Sequence, residues 1–291
     1  MTELAHPAVP QVTRSGRDLP VATAVGLGLL AAVGASLFVR KEVFVGIAVI
    51  AVWASLWELD QALKRRDIHL PLFMLLVGST GILVSAYVAG SEALLVAFML
   101  TAGGLVVWRV LGLGDGPAAL RDPTAALRDS TAGIFAAAYL PFLAGFVMLM
   151  LSMPDGALRV LLFVLLAVAS DVGGYTAGVL IGRHPLAPSV SPKKTWEGLA
   201  GSVVLCCAVG AVGYRWLFGS NPLVGVALGL ATVTTAIVGD LSESLIKRDL
   251  ELKDMGSLLP GHGGVLDRLD SMLLTAPVVY LVLLVSLPVG D

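Results

Sequence analysis

Asp240, Glu243, Ser244 and Lys247 recur at i, i+3, i+4 and i+7, a spacing that stacks them on one helix face. Asp267 and Asp270 repeat the i, i+3 interval further along. Two carboxylate pairs at neighbouring helix ends suit Mg2+, a hard cation that takes oxygen ligands and phosphates. Between them, Pro260-Gly261-His262-Gly263-Gly264 forms a bend whose backbone N–H groups approach phosphate oxygens without side-chain hindrance. Lys247, Arg248, Lys253 and Arg268 add positive charge for several phosphates. A metal, a glycine bend and a ring of cations suit a nucleoside triphosphate, whose transfer chemistry needs in-line positioning and charge neutralisation. The competing reading is a solvated loop whose basic residues only set membrane topology. It leaves the carboxylates and their shared face unexplained, because acidic residues have little part in that rule.

A second cluster lies upstream. Ser170-Asp171-Val172-Gly173-Gly174-Tyr175 sits near the end of an apolar run. A carboxylate within a span is costly and marks a functional site by default, the alternative being a packing residue paired with Arg or a hydroxyl. Gly174, Gly178 and Gly182 recur every fourth residue, which favours close helix packing. Ser191-Pro192-Lys193-Lys194-Thr195 reads as a rigid basic turn apt for phosphate.

The elements that position these clusters are membrane helices. Of 291 residues, 57% are hydrophobic and 14% charged, with a mean hydropathy of +0.89. Soluble domains carry about 25% charged residues. Crossing a bilayer takes about 20 helical residues, and lipid offers the backbone no hydrogen bonds. The expected fold class is therefore all-α, a polytopic helix bundle of about nine spans: 20–39, 42–59, 70–89, 93–111, 131–152, 157–181, 197–218, 222–240 and 271–289. Alternating strands of an outer-membrane barrel are absent. Residues 1–18 read as a disordered cytoplasmic N-terminus, 19–152 as N-terminal transmembrane helices and 153–291 as a catalytic transmembrane region. Trp53 and Trp57 read as headgroup-zone markers at the end of the second span, and 113–130 as a plain connector.

With the N-terminus inside, only Arg40, Lys41, Arg159 and Arg215 fall outside, which places loops 182–196 and 241–270 in the cytoplasm. The expected location is the cell membrane, with the active site facing the cytoplasm. No polar stretch is long enough for a soluble core. Basic residues are scattered among loops, so no nucleic-acid face is expected. Cys206 and Cys207, adjacent within an apolar run, read as packing residues.

The run Ser244-x-x-Lys247-Arg248-x4-Lys253-Asp254, followed by Pro260-x-His262-Gly263-Gly264-x-x-Asp267-Arg268-x-Asp270, resembles the signature of the phosphatidate cytidylyltransferases, or CDP-diacylglycerol synthases. Asp171-x-x-Gly174-Tyr175 and Ser191 to Gly198 also resemble that family, so the likeness covers roughly 168–271. Upstream, the chain resembles it only in being hydrophobic spans. The resemblance implies that CTP and phosphatidate give CDP-diacylglycerol and pyrophosphate, with Mg2+. It implies Asp240 and Asp267 as metal ligands, with Asp171, Glu243 and Asp270 nearby. It implies that Lys193, Lys194, Lys247, Arg248 and Arg268 bind phosphates of CTP and the lipid. His262 would orient a phosphate, transfer a proton or stabilise the turn. A homodimer is a further implication. Two alternatives stay open: a related CTP-dependent polyprenol or lipid kinase, and an ion-coupled transporter in which Asp171, Asp240 and Asp267 bind ions.

Overall fold

The computed structural model describes residues 28, 34–112, 123–188, 190–252, 254–256, 258 and 263–287. The expected disordered segment 1–18, most of the first span, Lys253 and His262 lie outside the described residues. The fold is an all-α membrane bundle. Its helices are α1 (Lys41–Lys64), α2 (Leu72–Val110), α3 (Pro123–Ala137), α4 (Leu143–Ser152), α5 (Gly156–Ile181), α6 (Trp196–Leu217), α7 (Pro222–Asp249) and α8 (Leu266–Ser286). A π-helical turn, Ala138–Phe142, joins α3 to α4 around Pro141.

Seven helical segments among the described residues are long and apolar enough to cross a bilayer, rather than nine. Part of the difference lies in α2. Gly90, at φ 80° and ψ −162°, breaks this helix into two arms. A side chain on Gly78 would meet Thr101, and Phe73 lies 6.3 Å from Trp108, so the arms fold back on each other. The expected spans 70–89 and 93–111 are these two arms. That backbone conformation is essentially confined to glycine.

Three boundaries also differ. Helix α7 runs to Asp249, beyond the expected end at Asp240, so the polar stripe is helical throughout. Helix α8 starts at Leu266 instead of 271. The expected connector 113–130 contains the start of α3 at Pro123. The basic turn is an antiparallel hairpin of β1 (Pro185–Ala187) and β2 (Ser191–Thr195), pairing Pro185 with Thr195 and Ala187 with Ser191.

Glycines bring α5, α6, α7 and α8 together. A β-carbon on Gly173 would lie 2.6 Å from the Gly201 carbonyl oxygen, and one on Gly239 would lie 2.7 Å from that of Asp270. Gly210 and Gly225 face each other in the same way. Without a hydrophobic force between helices in lipid, such close approach is a main source of cohesion. Gly174 and Gly178 face Ser202 and Thr195, in keeping with their expected packing role. Cys206 and Cys207 are unpaired thiols, directed at the Leu166 and Val226 carbonyls. The buried core runs without a break from Leu37 to Leu287, across both expected regions.

Charge segregates between the two ends of the bundle. At one end Arg66 Nη2 donates to Asp249 O and Glu251 Oε1, both at 2.8 Å, and Arg109 pairs with Asp129 at 3.3 Å. The same end holds the hairpin and the start of α8. At the other end Lys41 Nζ donates to Met153 O at 3.4 Å, and the buried Arg159 donates to Leu283 O at 2.9 Å.

Candidate functional site

A cavity of about 320 Å³ opens at the basic end, lined by residues of α5, the hairpin, α6 and α7. Its polar wall includes Asp171, Ser191, Lys193, Lys194 and Asp240.

Local chemistry builds that wall. Thr195 caps α6, its Oγ1 accepting from Gly198 N at 3.1 Å. Glu197, in the first turn, accepts backbone N–H groups from Arg183 (3.1 Å) and His184 (3.2 Å). Its other oxygen meets His184 Nδ1 at 2.6 Å. The strand before the cap thus carries Lys193 and Lys194 to the mouth of the cavity. Arg248 Nε donates to Val190 O at 2.7 Å, tying the hairpin to α7. Arg248 therefore has a structural contact.

The carboxylates separate into two groups. Asp171, Asp240 and Asp270 form the first: the charges of Asp240 and Asp270 both act on Asp171, together with those of Lys194 and Arg268. Lys194 forms an ion pair with Asp240 across the cavity. Asp267 belongs to the second group. It accepts from Lys247 Nζ at 3.0 Å, from Met255 N at 3.2 Å to each oxygen, and from Gly264 N at 2.9 Å. Three donors, one of them shared between both oxygens, therefore occupy most of its acceptor capacity of about four lone-pair sites. Lys247 bridges the groups, because it also pairs with the buried Glu243 one turn back. Asp270 acts electrostatically on Glu243.

The remaining candidates are placed as follows. Ser244 is half-buried on α7. Arg268 is exposed at the start of α8. Gly263 takes φ +89°, a left-handed conformation that favours glycine. Gly264 is enclosed, since a β-carbon there would lie 2.7 Å from Glu58 Oε2 and 2.9 Å from Asp267 Oδ2.

Two residues were not marked by spacing. Glu58 of α1 is 1% exposed, and its Oε2 accepts from Leu266 N at 2.9 Å. It shares no periodic stripe with other acidic groups; in the sequence it is only a carboxylate at the end of an apolar run. Tyr139 is the other. It sits in the π-turn, buried, with Asp270, Glu243 and Asp240 close enough to act on its phenol. Pro141, inside an apolar run, was the signal there, since π-turns often occur at functional sites.

Among the described residues, no three acidic, imidazole or thiol groups already converge as a metal-binding set. The donor chemistry nevertheless fits a hard divalent cation. Asp171 and Asp240 are oxygen donors on one cavity wall, and Asp270 adds a third charge beside them.

The family model described as "Cytidylyltransferase family" matches residues 21–286. A phosphatidate cytidylyltransferase of Mycobacterium leprae is 39% identical, over 93% of this chain and 89% of its own length. That of Mycobacterium bovis is 36% identical, over 94% of this chain and 90% of its own. That of Haemophilus influenzae is 40% identical over 47% of this chain and 51% of its own length. With a family model spanning nearly the whole chain and relatives matched over most of their own length, this protein belongs to the cytidylyltransferase family.

Proposed function

We infer that this protein transfers a cytidylyl group from CTP to phosphatidate, giving CDP-diacylglycerol and pyrophosphate. The observation that carries the reading is the cavity at the basic end of an apolar bundle. Asp171 and Asp240 line it together with Lys193 and Lys194, within a family of cytidylyltransferases. A water-borne nucleotide and a membrane-borne lipid meet where polar and apolar surfaces adjoin.

The phosphate oxygen of phosphatidate attacks the α-phosphorus of CTP, and the bond to the pyrophosphate oxygen breaks. Phosphatidate is already anionic, so the step needs no strong base. The difficulty is bringing two anions together, and the chain's cations address it. Lys193 is exposed at the mouth of the cavity, and Lys194 is half-buried against Asp240. Both are placed to take phosphate oxygens. Arg268 and Lys247 add charge from the α8 and α7 sides. Mg2+, when bound, would neutralise nucleotide phosphate oxygens. Asp171, Asp240 and Asp270 would hold it, and Asp267, which accepts from Lys247 and two backbone amides, would stand beside them.

Incubation with base-labelled CTP and phosphatidate in detergent tests the reading. Label should appear in the lipid fraction with matched pyrophosphate release. Label reaching the lipid from γ-phosphate-labelled CTP but not from base-labelled CTP would establish a kinase instead. Chelation should remove turnover and added Mg2+ restore it; full turnover in excess chelator would rule the metal out. The charge bias of the loops supports a cell-membrane protein with this cavity facing the cytoplasm. A homodimer belongs to the same proposal, and light scattering of the detergent-solubilised protein measures it directly.

A further inference from the structure

We propose that Glu58 is a positioning residue for this reaction: it braces the backbone at Gly264 and Val265 and the first turn of α8, and so sets where Asp267 and Arg268 stand. The proposal rests on the cytidylyl-transfer reading above.

Glu58 comes from α1, 208 residues away in sequence from the amide it bonds, and its side chain is almost wholly enclosed. Besides the bond from Leu266 N, the backbone amides of Val265 and Leu258 are directed at the carboxylate. The first amides of a helix have no partner within it. Those of α8 are turned inward, and the N-cap residue, Val265, has no side chain able to accept from them. A carboxylate from another helix accepts in its place, where the helix dipole also favours negative charge.

The bend is shaped around this group. Any side chain on Gly256 would occupy the space of the Glu58 carboxylate, and Gly264 is enclosed by Glu58 and Asp267 together. Two of the glycines between α7 and α8 therefore make room for carboxylates, which is a different task from approaching phosphate. Asp267 holds the neighbouring backbone as well, through Met255 N and Gly264 N. The backbone at Met255, Gly264, Val265 and Leu266 is thus held by two acidic groups, one from α1 and one from α8. Arg268 and Asp270 follow on the same helical turn, so the height and rotation of that turn depend on both. A displacement near 1 Å at such a turn can cost about a hundredfold in rate.

The test uses full-length protein in detergent with CTP and phosphatidate. It measures kcat, both KM values and thermal unfolding for E58A, E58Q, G256A and the double variant E58A/G256A. The expected result for E58A is a kcat per folded molecule lower by roughly 30- to 100-fold, with the phosphatidate KM little changed and the unfolding temperature lowered, because buried amides lose their acceptor. E58Q keeps one oxygen acceptor and should retain more activity than E58A. G256A should lower kcat by intruding on the same space, and the double variant should be no worse than E58A alone, as coupled residues require. A wild-type kcat per folded molecule in E58A overturns the proposal, as does a loss that only follows the fraction folded. Multiplying effects of E58A and G256A overturn it as well. Should E58A not fold, E58Q and G256A carry the test, and normal kcat in both overturns the proposal. Absence of label transfer by the wild-type protein would instead sink the cytidylyl reading on which the proposal rests.

Discussion

Asp240 and Asp267 have the same chemistry and nearby places in the sequence, yet the structure puts them to different uses. Asp240 lines the cavity, where its pair with Lys194 leaves both side chains about a quarter exposed, so Asp240→Asn should cost little stability. Its turnover should fall by about 10²–10³, the usual cost of one group that stabilises transferring charge. Asp267 accepts from three donors. Asp267→Asn turns an amide NH2 toward a backbone N–H and should lower stability by about 1–3 kcal/mol as well as turnover. Denaturant unfolding alongside steady-state kinetics separates the two outcomes. Equal stability loss in both variants would contradict the division of roles. The acidic stripe was legible because helical periodicity puts Asp240, Glu243 and Lys247 on one face. Glu58 was not, because a single carboxylate at the end of an apolar run looks the same whether it marks a boundary or crosses the bundle to cap another helix.

At the scale of elements, glycines decide the packing. Gly90 sits at φ 80° and ψ −162°, so Gly90→Ala should destabilise by about 1–3 kcal/mol through backbone strain alone. Gly225→Leu should cost a similar amount by forcing α7 away from Gly210 of α6, with about 1–3 kcal/mol typical of overpacking. Thermal unfolding in detergent checks both, and an unchanged midpoint for Gly225→Leu would mean that the two helices do not touch there. The helices themselves were legible from hydropathy. Their ends were not: hydropathy marks where the apolar run stops, whereas α7 continues nine residues beyond Asp240 because its polar stripe faces neighbouring protein. The hairpin at 185–195 was also hidden, since three- and five-residue strands leave too short a pattern to tell from a turn.

For the whole molecule, the ordering of charge along the bundle axis is the main result. The Lys and Arg count is in keeping with it: Lys64, Arg66, Arg109, Arg183 and Lys194 lie at the cavity end, and Arg40, Lys41, Arg159 and Arg215 at the other. Cysteines placed at Arg65 and Arg183 should react with a membrane-impermeant maleimide from one side only, and one at Leu223 from the opposite side. Native Cys206 is fully buried and Cys207 half-buried inside the bundle, so background labelling should be low. Labelling of Arg183→Cys and Leu223→Cys from the same side would break the assigned topology.

The ties from α1 to the far end of the chain also bear on how such proteins can change. Glu58 reaches Leu266, and Arg66 reaches Asp249 and Glu251. A chimera that joined the first half of one relative to the second half of another would inherit the recess at Gly256 and Gly264 separately from the acid that fills it. Positions 58, 256 and 264 therefore form a unit of inheritance, and viable recombinants should carry all three from one parent or have matching residues in both.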